Sequence, residues 1–265
     1  MRRSPNTNIL FTLVRNVARV YIRDFGELQN LQNTNRSVHD FVQKSKKRVE
    51  SLILEELMEK YSNQNYEFFS INGEQKIIQK DIDDSDNCFI INALDGELNY
   101  KRTIPLFCIS IAHKRNGVIE NSIVYNPITD DIFIGENGIG ATHNNIKMQV
   151  SSEQKIEYCL FGIDNVYEFY ENFNNNNLNK LLAASTGIRS FGAISLSICM
   201  VGSGKLNVFI NRLIQPHEID ASLLILKEAA GKYNYLKNPE VAKPNYFIVS
   251  NEKIYDNLSL SLIHI

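Results

Sequence analysis

A short apolar run that stops at a turn constrains this chain more than any other stretch: Phe89-Ile90-Ile91-Asn92-Ala93-Leu94-Asp95-Gly96-Glu97-Leu98-Asn99. Phe89 to Ile91 is too short and too β-branched to favour an independent helix, and Asp95-Gly96 is strong turn chemistry. The stretch therefore predicts a buried strand with Asp95 at its C-terminal end and a polar, helix-compatible segment after it. In α/β proteins that end of a strand is where ligands are held. Asp95 is then either a satisfied turn residue capping the next segment or a carboxylate delivered to a functional rim.

Two helices are expected ahead of this strand. Apolar positions at helical spacing (Leu10, Leu13, Val14, Val17, Ala18, Val20, Tyr21 and Phe25) predict one amphipathic helix over about 6–31, with arginines on its wet face. Phe41, Val42, Val49, Leu52, Ile53, Leu57 and Met58 mark a second over about 38–61. Tyr66 to Ser70 reads as a strand, and the acidic stretch Asp81 to Asp86 as a solvated connection. Beyond the central run, Phe107 to His113 and Ile119 to Tyr125 predict a hairpin turning at Asn116-Gly117, followed by a short strand from Asp131 to Gly135. Gly138-Ile139-Gly140 is punctuation between strands, because no helix with phosphate-loop spacing follows it. The second half starts with a strand around Tyr158 to Ile163, and the Asn174 to Asn177 run is expected in a surface loop. An apolar helix is expected through Cys199 and Val201 to Gly204, and a last one from Pro216-His217-Glu218-Ile219-Asp220 to Gly231.

The 265 residues, 43% of them hydrophobic, can bury a sizeable core as one large domain or two tightly fused ones. A net charge of -2 argues against general electrostatic attachment to nucleic acid or an anionic membrane. No apolar segment approaches the roughly 18 residues needed to span a bilayer. The start, Met1-Arg2-Arg3 followed by Asn8 to Val14, faintly resembles a signal peptide, but Arg15, Arg19 and Arg23 and the lack of a small-residue cleavage site favour a helix, and the expected location is the cytoplasm. Cys88, Cys108, Cys159 and Cys199 are widely spaced in apolar contexts without a C-x-x-C pair, which predicts reduced core thiols.

The central run resembles the signature of the inositol monophosphatase family, hydrophobic-Ile-Asp-Pro-Leu-Asp-Gly-Thr-Thr-Asn. Ile104-Pro105-Leu106-Phe107-Cys108-Ile109-Ser110-Ile111-Ala112 resembles its Phe-Pro-x-x-x-Val-Ser-Ile-Ala continuation. Asp40-Phe41-Val42-Gln43-Lys44-Ser45-Lys46-Lys47-Arg48-Val49-Glu50 is similar to its Asp-Leu-Val-Thr-x-x-Asp-x-x-x-Glu element, and Gly138 to Asn145 to its Gly-x-Gly-Ala-x-x-Asn-Gly turn. Further on, Arg189 to Leu196 resembles Arg-x-x-Gly-Ser-Ala-Ala-Leu, Lys205 to Phe209 takes the place of a strand, and 216–231 matches Trp-Asp-Ile-Ala-Ala-Gly to Glu-Ala-Gly-Gly. The resemblance covers nearly the whole chain. It implies a layered α-β-α-β-α sandwich of α/β (α+β) class and a homodimer. Residues 1–150 would form an N-terminal α+β half carrying a metal site, and 151–265 a C-terminal α/β half of one compact unit.

What the resemblance implies for chemistry is a magnesium site from which residues have been removed. Active members hold two or three Mg2+ ions with carboxylates, activating water and neutralising the leaving phosphate. The corresponding metal set here is Asn92 in place of the first Asp, Asp95, Leu94 through its backbone, Glu218 in place of the last Asp, and either Ile71 or Glu74 at the strand-end Glu. Lys46 and Glu97 stand at the two water-positioning positions, where the family has Asp and Thr. Gly96, Glu97, Gly192, Ala193 and Asn211 fall at substrate-binding positions. The implied Mg2+ is weakly held or absent, and Lys46 is expected within salt-bridge reach of Asp95 or Glu97. Two functions follow as expectations. One is a weak or inactive phosphatase retained for a SuhB-type regulatory role, with a transcription complex of RNA polymerase and Nus factors as the partner class. The other is a working magnesium phosphatase for inositol or sugar phosphates with a rearranged site using Asp95, Glu218, Glu97 and Glu74.

Overall fold

The computed structural model describes residues 3–31, 35–71, 82–164, 182–211, 214, 217–237 and 244–263. Glu74 and the Asn174 to Asn177 run lie outside the described residues.

The chain forms two sheets and sets of helices on and between them. Helices α1 (Pro5–Val17), α2 (Arg19–Leu31) and α3 (Asn35–Tyr61) come first. A seven-stranded sheet follows in sequence order: β1 (Glu67–Ser70), β2 (Cys88–Asp95), β3 (Cys108–Arg115), β4 (Val118–Asn126), β5 (Asp131–Glu136), β6 (Gly140–His143) and β7 (Ile146–Lys147). Within it β1 and β2 are parallel and the later neighbours antiparallel. The short helix α4 (Glu97–Lys101) leaves the end of β2. In the second sheet the strands are β8 (Leu160–Ile163), β9 (Gly187–Arg189), β10 (Val208–Asn211), β11 (Gly231–Lys237) and β12 (Pro244–Asn251), in the order β11-β12-β10-β8-β9. Helices α5 (Ile194–Gly202), α6 (Asp220–Glu228) and α7 (Glu252–Ile263) complete the chain.

The alternation of side chains along each strand decides the layering. Phe89, Ile91, Ile109, Ile111 and Ile123 face one way and pack against Leu13, Val17, Tyr21, Val49, Ile53 and Leu57 of the first three helices. Cys88, Ile90, Cys108, Ala112 and Val124 face the other way, onto Leu196 and Cys199 of α5 and Ala221 and Ile225 of α6. Those two helices turn Ile198, Val201 and Leu226 to Phe209, Phe247 and Val249 of the second sheet. The opposite face of that sheet, with Phe161, Ile163, Ile210 and Ile248, is covered by Ile254 and Leu258 of α7. The result is a mixed α/β sandwich of helices, sheet, helices, sheet and helix.

The hairpin forms as expected, with Asn116 and Gly117 both at positive φ between β3 and β4. Three boundaries differ from the sequence expectation. The first helix is interrupted at Ala18, although the apolar stripe continues across the break through Tyr21, Phe25 and Leu28. The strand expected at 205–209 begins only at Val208, because Lys205 and Leu206 use their N–H groups on Met200 O at the end of α5. The helix expected over 216–231 is described as α6 from Asp220 to Glu228; Pro216 lies outside the described residues. All four cysteines are free thiols in buried positions.

Candidate functional site

The site lies where β2 ends against the first turn of α5. Strand β2 is buried along its whole length, Cys88 to Asp95. Its pairing with β3 runs Asn92↔Ser110 and then Asp95↔Cys108, three steps on one strand against two on the other. This extra residue is a β-bulge, and it reverses the alternation beyond it. Without it Asp95 would share a face with Ala93 and Ile91 and point at the first three helices. With it Leu94 takes that direction, and Asp95 turns toward α5.

Asp95 is 6% exposed and engaged across the seam. Its Oδ2 accepts from the Ser195 N–H at 2.6 Å and its Oδ1 from the Ile194 N–H at 3.3 Å. The helix N-cap itself, Ala193, has no side-chain acceptor, so Asp95 does from a distance what an N-cap side chain does locally. Burial pushes the Asp95 carboxyl above its ordinary pKa, and the two N–H groups pull only part of the way back. Asn92, also buried, turns its Oδ1 onto the Leu94 N–H at 3.3 Å.

Two residues beyond Asp95 the direction changes again. Gly96 sits at φ 83, and a Cβ there would come within 2.7 Å of the Leu106 carbonyl, so the turn admits glycine. Glu97 then faces α3: its Oε1 accepts from Gln43 Nε2 at 2.7 Å and its Oε2 from Lys46 Nζ at 3.2 Å. The Lys46 side chain is 11% exposed and that of Glu97 36%. Of the two expected partners for Lys46, the structure selects Glu97.

Asn99 sews the seam from the same turn, its amide donating to Leu106 O at 2.7 Å and Phe191 O at 2.6 Å. Gly192, at φ 66, lies against that amide. Ala193 is buried, and its Cβ approaches Gly96. The turn from 190 to 197 is held from its other side by Asp164, at the end of β8. One Asp164 oxygen accepts from Ser190 Oγ and the Phe191 and Gly192 N–H groups, the other from Ser197 Oγ at 3.3 Å. Sequence reasoning passed over Asp164, although the signal resembles that of Asp95: an apolar strand, Leu160 to Ile163, delivering an Asp.

The remaining candidates lie around this centre. Ile71 continues β1 beside β2, donating its N–H to Ile91 O at 2.8 Å, and packs its side chain into the apolar layer over α5 and α6. Glu218 is half-buried in the turn before α6, and Asn211 is fully buried at the end of β10. Asp220 is taken by His217, whose Nδ1 lies 2.8 Å from Oδ2. The other His217 nitrogen is 3.6 Å from Asp83 of the acidic connection. Among the described residues no three His, Cys, Asp or Glu side chains converge so as to hold a metal ion, and no helix is long and apolar enough to cross a membrane.

The profile of the inositol monophosphatase family matches residues 2–264. The inositol-1-monophosphatase of Rhizobium meliloti is 31% identical over 235 residues, 87% of this chain and 85% of its own length. A putative Nus factor SuhB of Neisseria meningitidis serogroup B is 27% identical, covering 86% of each chain. The crystal structure of the extragenic suppressor protein SuhB from Bartonella henselae superposes with a TM-score of 0.79 at 27% identity, over 98% of this chain and 99% of that one.

Proposed function

The chain belongs to the inositol monophosphatase family, and from that premise we propose that it is a weak or non-hydrolytic member, retained for a SuhB-type role in binding a partner. The observation that carries this reading is the Lys46 ammonium, 3.2 Å from Glu97. By the resemblance to the family's motifs, both residues fall at its water-positioning positions. A cation and a carboxylate that pair with each other there leave no base for that water and no neutral hydroxyl to orient it. The donor set also fits magnesium poorly. That ion takes a near-ideal octahedron of hard oxygens and, when bound, supplies an activated water and neutralises phosphate charge. In this chain Asn92 offers a neutral amide already turned onto Leu94 N–H, Ile71 offers a hydrocarbon, and both oxygens of Asp95 are occupied by backbone N–H groups.

The partner class comes from relatives whose names are Nus factor SuhB, so a cytoplasmic transcription complex of RNA polymerase and Nus factors is the proposed setting. A homodimer belongs to the same proposal, as does the division into a metal-site half, 1–150, and a C-terminal half, 151–265, of one unit. The second reading, a working phosphatase with a rearranged site, is favoured by relatives such as the R. meliloti protein that are named for inositol-1-monophosphatase activity. Turnover of inositol 1-phosphate in magnesium decides between them. The expected rate is at least about 100-fold below that of an active relative, the usual cost of even one lost water-positioning or electrostatic group. Lithium-sensitive turnover within about tenfold of that relative would establish the second reading.

A further inference from the structure

His113 of β3 is fully buried, a titratable group that the candidate site does not use. Its ring stacks on Phe89 of β2, with centroids 4.7 Å apart and planes at 14°, and has Tyr61 from the end of α3 and Tyr66 from the approach to β1 beside it. Both ring nitrogens are engaged: Nδ1 lies 3.0 Å from Asn121 Oδ1, and Nε2 2.9 Å from the Tyr66 hydroxyl. The donors around the ring decide its tautomer. Ser4 Oγ gives its single hydrogen to Thr7 Oγ1, so it can only accept from Asn121. The Asn121 amide donates to Ser4 Oγ at 3.1 Å and to Thr7 Oγ1 at 3.0 Å, which turns the Asn121 oxygen to His113. Nδ1 therefore carries the hydrogen, and the bare Nε2 accepts from the Tyr66 O–H.

We propose that His113 is an acid-sensitive latch: as the neutral Nδ1–H form it closes a buried network running from Tyr66 to the N-terminus of α1, and as the imidazolium it opens that network at Tyr66. A second proton can enter only at Nε2, where it meets the hydrogen that Tyr66 already points at the ring. The half-buried phenol must then turn that hydrogen away, and the native bond between the turn from α3 to β1 and the sheet is lost. The charge itself is poorly housed, because both partners of the ring are neutral groups. Glu120 of β4 and Arg115 of β3 reach the ring with fields of opposite sign, and burial raises the pKa of Tyr61 and Tyr66, keeping both phenols neutral. Glu136 of β5 spends an oxygen on the Ser4 N–H at 3.1 Å. Burial accordingly holds the His113 imidazole below its ordinary pKa, with the Asn121 bond pulling part of the way back. A histidine depressed in the folded chain contributes stability that is present above its unfolded pKa of about 6.5 and lost as pH falls through the native value.

The test reads the wild-type chain first, by nitrogen-edited NMR of its histidine rings, with urea midpoints measured across pH beside it. His113 is expected as the neutral Nδ1–H tautomer at about pH 7 and should take up its second proton below about 6.5, with the urea midpoint shifting downward as it does. His113→Asn keeps an amide donor on β3 and removes the titration, so its midpoints should escape the part of the acid loss that belongs to the latch. Tyr66→Phe removes the hydrogen that favours a bare Nε2, and His113 should then titrate nearer its ordinary value. An Nε2–H tautomer at neutral pH, a His113 titrating at or above its ordinary value, or parallel midpoint profiles for wild type and His113→Asn would overturn the latch. A titration unmoved by Tyr66→Phe would overturn it too. If His113→Asn fails to fold, the wild-type rings and Tyr66→Phe decide by the same outcomes.

Discussion

Asp95 and Glu97 are two carboxylates two residues apart on one turn, and the fold treats them in opposite ways. Asp95 is drawn into the interior, where two backbone N–H groups from the other half of the chain satisfy it and burial raises its pKa. Glu97 stays at the rim, one-third exposed, and is satisfied by two side chains of the neighbouring helix. The bulge after Asn92 turns the first inward, and the left-handed Gly96 turns the second outward. The same functional group is thus a structural acceptor in one position and half of an ion pair in the other. Backbone geometry, more than residue type, decides which.

This contrast predicts a hierarchy of effects. Asp95→Ala strands two buried helix N–H groups at once, each worth about 1–3 kcal/mol, and should lower urea-measured stability by about 3 kcal/mol. A loss below about 1 kcal/mol would mean that water replaces the carboxylate easily and that Asp95 is no more interior than Glu97.

A smaller effect should separate the two residues by pH. Because the native Asp95 carboxyl titrates above its unfolded value, the folded chain holds that proton more firmly. Its share of stability is then greatest in acid and declines as pH rises from about 4 through the raised native pKa. In Asp95→Asn that decline should vanish from the pH profile of urea midpoints, while Glu97→Gln should leave it in place. Parallel profiles for wild type and Asp95→Asn would contradict the assignment.

The smallest expected effect is Glu97→Gln itself. The pair with Lys46 is partly exposed at the glutamate and the replacement keeps an acceptor, so the cost should be about 0.5 kcal/mol, as for other pairs open to solvent. A loss above about 2 kcal/mol would show that the rim carboxylate is as deeply committed as the buried one, and the contrast would collapse.

Much of this arrangement can be read from the residues, and the unreadable parts share a cause. The apolar run before Asp95-Gly96, the Asn116-Gly117 hairpin and the stripes of the leading helices are local patterns, and the fold follows them. The resemblance to the family's pattern could bring Lys46 within reach of Asp95 or Glu97, and only the structure chooses Glu97. The bulge was invisible, since Ala93-Leu94 scans as two more residues of a strand and only the register against β3 reveals the extra one. The commitments of Asp95 to Ser195 and of Asp164 to the turn at 190–192 were equally hidden, because one partner of each pair is a backbone N–H, which carries no residue identity. The interruption at Ala18 has no sequence mark such as glycine or proline.

The hydrogen bond from Ser195 to Asp95 joins residues 100 positions apart, and that separation orders events during synthesis. Strands β2 to β7 pair with sequence neighbours and can zip together as they emerge, whereas Asp95 waits for a helix not yet made. At about 5–20 residues per second that wait is on the order of 5–20 seconds. Throughout it, the carboxylate end of β2 stays hydrated and the apolar face meant for α5 and α6 stays open. The seam that carries the candidate site consequently closes only after the first sheet has been made. A nascent chain halted before residue 194 would display the first sheet complete and the site unmade.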